Sequence, residues 1–92
     1  YGDGVKNLSV MDRHVIANMG AELGATTTVF PSDDETKRFL ISQERESDWT
    51  ELVADSEATY DEYDEINLDD LVPLIALPTS PGNVVPVSEV AG

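Results

Sequence analysis

Prolines set the first limit on this chain. Four of them, Pro73, Pro78, Pro81 and Pro86, fall after residue 72. Proline lacks a backbone N–H and fixes its own φ, so a stretch punctuated this densely cannot be one helix or one central strand. Residues 73–92 are therefore expected to run as a proline-rich extended segment, with a turn at Ser80-Pro81-Gly82-Asn83. Regular structure is left to what precedes it.

That earlier part carries clear start and stop signals. Ser9 with Asp12 three residues on is a capping-box pattern, and it predicts a helix over about Val10 to Leu23. Gly24 suits the left-handed residue that ends a helix. Thr26, Thr27, Thr28 and Val29 are all β-branched, so Ala25 to Phe30 reads as a strand that Pro31 stops. Ser32-Asp33-Asp34-Glu35 is a second capping box with acid in the first turn, and Phe39, Leu40 and Ile41 give that helix an apolar side. A short third helix is expected from Ser47 through Trp49, Leu52 and Val53, and a second strand near Tyr63 to Leu68. A strand–helix–strand unit is normally parallel with a right-handed crossover. The expected fold class is α/β, a single unit over residues 1–92.

Charge narrows the function classes. There are 19 acidic residues against 5 Lys and Arg, and Arg45 is the one basic residue after Arg38. Nucleic-acid binding is driven largely by Lys and Arg neutralising phosphate, and an anionic membrane attracts the same groups, so neither partner is expected. With no cysteine there is no disulfide, thiolate nucleophile or cysteine-ligated metal in these residues, which fits a cytoplasmic origin. Asp61, Glu62, Asp64, Glu65, Asp69 and Asp70 lack the glycine-centred spacing of a calcium loop and read as a solvated face. His14 has no second histidine to form a metal pair and reads, with Arg13, as part of a wettable first turn.

The first helix poses the chemical question. From Val15 to Leu23 only Asn18 and Glu22 are polar, and four residues apart they share a helix face. A helix apolar nearly all round is normally buried, and a buried carboxylate needs a partner or a proton. Two structural readings are open: a satisfied structural glutamate, or a polar stripe facing solvent. The functional reading is a carboxylate and an amide aimed together into a cleft, with small residues at Gly20, Ala21, Gly24 and Ala25 letting other backbone approach.

The run Asn18-Met19-Gly20-Ala21-Glu22-Leu23-Gly24-Ala25-Thr26-Thr27, followed by Val29-Phe30-Pro31, closely resembles a characteristic stretch of the aconitase family. Tyr60-Asp61, Glu65-Ile66-Asn67-Leu68, Leu71-Val72-Pro73 and the stretch from Ser80 to Val90 resemble its continuation, so the likeness covers almost the whole chain. The resemblance implies a partial three-layer α/β/α domain with a short, mainly parallel sheet. It also implies that the 92 residues are an internal piece of a longer enzyme, with residues 73–92 leading toward its next domain.

The family removes and re-adds water on hydroxy-tricarboxylic or hydroxy-dicarboxylic acids, using a [4Fe–4S] cluster whose open iron acts as a Lewis acid. By resemblance, Glu22 is the catalytic carboxylate facing the hydroxyl or water at that iron. Asn18 is the amide that hydrogen-bonds near the cluster and its ligands. The cluster cysteines, the substrate-binding arginines and the serine base of the family are not in these residues, so no cofactor is expected on the piece alone and no activity in isolation. The expected partners are the remaining domains of the longer chain and a small tricarboxylic acid. Gly20-Ala21 and Thr26-Thr27 lean toward the aconitate hydratase branch over the homoaconitase and isopropylmalate isomerase branches. A reading of another class is a non-catalytic acidic interaction module.

Overall fold

The computed structural model describes residues 1–92. Helix α1 spans Val10–Asn18. The Ser9 hydroxyl accepts from the Asp12 N–H at 3.1 Å, and the Asp12 carboxylate accepts from the Ser9 N–H at 3.0 Å, so the capping box is fully made. A tighter 3-10 turn, Gly20–Leu23, follows through Met19, and Gly24 ends it at φ 76°, in the left-handed region. The Glu22 N–H donates to Met19 O at 3.1 Å and the Ala25 N–H to Gly20 O at 3.1 Å. The stretch from Ser9 to Gly24 is therefore one hydrogen-bonded rod, α-helical for its first part and 3-10 at its end.

Helix α2 spans Asp34–Ser42. Its cap is Asp33, one residue later than the Ser32 box predicts, because the Asp33 carboxylate takes the Thr36 N–H at 3.4 Å. Glu44, at φ 59°, makes the left-handed turn beyond its end, and the Arg45 N–H returns to Leu40 O at 2.7 Å. The predicted third helix is only a 3-10 turn at Glu46–Asp48. Trp49 turns back instead, its indole N–H donating to Asp33 O at 3.2 Å and its ring lying 5.1 Å from the Lys37 ammonium.

The strand predictions need correction. Residues 25–30 and 63–68 form no strand. A β-branched run favours extended backbone, but a strand exists only where a neighbour accepts its ladder, and none lies alongside these segments. One antiparallel bridge, Ser32 to Leu52, is all the pairing near the first of them. The sheet that forms lies in the proline-rich stretch: β1 (Leu74–Ala76) pairs antiparallel with β2 (Val84–Pro86), and Ile75 faces Val85. The expected mainly parallel sheet is absent from these residues, since two strands joined by a short loop can pair only antiparallel. What stands is a small α/β unit with two helices and a two-stranded hairpin.

No hydrophobic side chain is buried; the two buried residues are Arg13 and Gly20. No helix is long and apolar enough to cross a membrane.

Candidate functional site

The rod from Ser9 to Gly24 has two unlike sides. Toward the rest of the chain it turns Val10, Arg13, Ala17 and Gly20, all buried or half-buried. Their spacing of three, four and three residues is one helical face. Away from it stand Met11, Val15, Asn18 and Glu22, all exposed, with Val15 at 64% and Leu23 beside them at 87%.

The inward side is fixed by Arg13, only 4% exposed. Its Nε donates to Leu8 O at 3.1 Å. Nη1 donates to Pro31 O at 3.1 Å and Asp33 Oδ1 at 2.8 Å. Nη2 donates to Val5 O and to Asp33 Oδ2, both at 2.9 Å. A guanidinium has five N–H groups in a planar fork, and every one is used here. The two bonds to Asp33 are the parallel, charge-assisted kind that fix orientation as well as distance. They hold the Asp33 carboxyl below its ordinary range, first through the Arg13 hydrogen bonds and against the opposing effect of burial. The sign follows. A carboxylate whose folded value is lowered contributes stability that is complete above the ordinary range, near pH 4, and is lost as pH falls through the lowered value.

Sequence reasoning missed this residue. Beside Asp12 and His14, Arg13 looks like part of a wettable turn, and its partner lies twenty residues away. The usable signal was the small pair Ala17 and Gly20, which marks the side of the helix where other backbone comes close. Gly20 is buried against Thr28, and a Cβ there would run into the Thr28 hydroxyl oxygen.

Asn18 is the last residue of α1, and Glu22 sits in the following 3-10 turn. The change of winding turns Glu22 off the line that a continuous α-helix would give it with Asn18. Of the readings the sequence left open, a glutamate satisfied within these residues is not what forms: Asn18 and Glu22 are both exposed, and no ion pair includes Glu22. His14 is exposed, as is the acidic stretch from Asp61 to Asp70. Neither Asn18 nor Glu22 lines the cleft of about 760 Å³ between Tyr1, Lys6, Asp33, Glu35, Asp55 and Tyr60.

Each arginine of the chain is already paired with a carboxylate. Arg13 is spent on the clasp, Arg38 pairs with Glu35 at 2.9 Å, and Arg45 pairs with Asp48 at 2.9 Å. A [4Fe–4S] cluster, implied by the resemblance, does not fit the residues present. There is no cysteine, and no three His, Asp or Glu side chains gather to hold a metal ion. What the site offers is one free carboxylate and one free amide, held outward on a rod anchored from behind.

Comparisons with known proteins bear on the same residues. The family model described as "Aconitase family (aconitate hydratase)" matches residues 1–92. The chain is 45% identical over 99% of its length to the 3-isopropylmalate dehydratase large subunit 2 of Rubrobacter xylanophilus, covering 21% of that protein. It is 43% identical over 98% of its length to the large subunit 1 of Thermotoga maritima, covering 22%. It is 42% identical over 97% of its length to the mitochondrial aconitate hydratase of Arthroderma benhamiae, covering 12%. The chain thus spans about a fifth or less of the curated relatives it matches. No solved structure matches it.

Proposed function

Because this chain belongs to the aconitase family, we propose that it is part of a longer hydro-lyase, an aconitate hydratase, to whose active site it contributes Glu22 and Asn18. The family match over all 92 residues carries the reading. The structure adds that both side chains face outward without a partner in the chain, on the side of the rod opposite its anchor. Elimination of water moves a hydroxyl and a neighbouring proton. A carboxylate at Glu22 can accept or return a proton at the hydroxyl oxygen, and an amide at Asn18 can hold it in orientation by hydrogen bonding. The arginines that grip the substrate carboxylates and the cysteines that hold a cluster come, on this reading, from elsewhere in the whole protein. Further strands from there would pair with residues 25–30 and 63–68 and complete the three-layer, mainly parallel arrangement.

A second reading has its own observation. Two of the most similar relatives are 3-isopropylmalate dehydratase large subunits, at 45% and 43% identity. The two substrate classes differ where a carboxymethyl group of one is replaced by an isopropyl group in the other. The whole protein, assayed with citrate and with 3-isopropylmalate, is expected to favour citrate in kcat/KM by at least about tenfold. The opposite ranking establishes the second reading. No turnover of either acid would favour a non-catalytic acidic module.

Gly20 gives a structural check on the same rod. Gly20→Ala is expected to destabilise the whole protein by about 1–3 kcal/mol, the usual cost of overpacking. Adding Thr28→Ala removes the obstructing hydroxyl and should restore most of the loss. A Tm for Gly20→Ala equal to that of the unsubstituted protein would mean that Thr28 simply rotates away.

A further inference from the structure

We propose that Arg13 is a positioning residue: its clasp on Asp33 and three backbone carbonyls sets where Glu22 stands. The inference rests on the reading of Glu22 given above and concerns a different residue, one that touches no substrate. Three observations carry it. Asn18 and Glu22 belong to a single hydrogen-bonded rod, Ser9 to Gly24. Arg13 is the only side chain of that rod buried below a tenth of its surface. Its five donors reach three separate segments: the 3-10 turn at Asp3–Asn7 through Val5, the approach to α1 through Leu8, and the approach to α2 through Pro31 and Asp33.

The large apolar side chains of the rod do little of this work, since only Val10 and the small Ala17 are half-buried against the rest of the chain. Met11, Val15, Ile16, Met19 and Leu23 point away from the rest of the chain. Tilt and rotation of the rod are therefore set chiefly by the guanidinium, with Gly20 against Thr28 and the half-buried Val10 and Ala17 as the other contacts on the inward face. Rotation about the rod axis swings Glu22 sideways, and a displacement of about 1 Å at a reacting group can cost on the order of a hundredfold in rate. Lysine is no substitute. It has three donors at one point, so at least two of the five acceptors lose their partner and the planar register with Asp33 is lost.

The test is steady-state kinetics of the whole protein carrying Arg13→Lys, Glu22→Gln, and both. If Arg13 acts through Glu22, Arg13→Lys lowers kcat at least about tenfold in the unsubstituted background with little change in KM. In the Glu22→Gln background it lowers kcat less than about twofold, because residues acting as one unit are non-additive. Equal fold-losses in both backgrounds, or a loss confined to KM, would overturn the proposal and leave Arg13 a purely structural residue. Failure of the underlying reading looks different: Glu22→Gln alone would then leave kcat unchanged, and the proposal would fall with it. If Arg13→Lys does not accumulate as folded protein, Asp33→Asn removes the charge pair while keeping the side-chain shape. The same comparison in two backgrounds then decides.

Discussion

Glu22→Gln in the whole protein is expected to lower kcat by at least about 100-fold, about 2.7 kcal/mol of transition-state stabilisation at 1.36 kcal/mol per decade. Glutamine keeps the size and one hydrogen-bond acceptor of glutamate but cannot take a proton at neutral pH. The loss should therefore appear in kcat more than in KM, the mark of an interaction made mainly in the transition state. The exposed position in these 92 residues makes the experiment clean. Glu22 supports no ion pair here, so its replacement leaves no stranded partner in this chain. A turnover within about twofold of the unsubstituted protein would return Glu22 to the status of a solvent-facing residue.

The second large effect concerns the 92 residues alone. They are expected to unfold gradually on heating, without a cooperative transition, and to leave cis-aconitate unconverted. A folded monomer of 10.0 kDa should expose about 5,200 Å² by the usual scaling with mass, whereas this chain exposes 8023 Å². The excess, about 2,800 Å² on this chain alone, is as much as one side of a large obligate interface buries. Its radius of gyration, 16.3 Å, exceeds the roughly 12 Å of a compact domain of this length. With no buried hydrophobic side chain, the apolar burial that offsets chain entropy is largely missing. Circular dichroism of the isolated chain, followed with temperature, checks this. A sharp sigmoidal transition in the ordinary range of about 45–65 °C would refute it.

What was legible in the sequence was local. The Ser9–Asp12 box and the left-handed Gly24 depend on neighbours a few residues away, and both appear as read. Asp33 rather than Ser32 caps α2, and the second use of its carboxylate, by an arginine twenty residues away, is what no local pattern shows. The Thr26–Val29 and Tyr63–Leu68 runs have strand composition, yet a strand is a property of two segments and the second was not there. The hairpin was hidden for the opposite reason. Its prolines sit at the margins, Pro73 just before β1 and Pro86 as the last residue of β2, where they interrupt little of the ladder. At the candidate site, the sequence put Asn18 and Glu22 on one helical stretch but left open whether they face a cleft, a structural partner or solvent. The family motif named the residues, and only coordinates showed which side of the rod holds it in place.

One carboxylate ends up serving two helices. Asp33 caps α2 through the Thr36 N–H and, with the same side chain, grips α1 through Arg13. The two elements are thereby tied to a common node. Protonating this single group weakens both attachments at once, and a free energy measured by altering Asp33 contains the cap of α2 and the grip on α1 together.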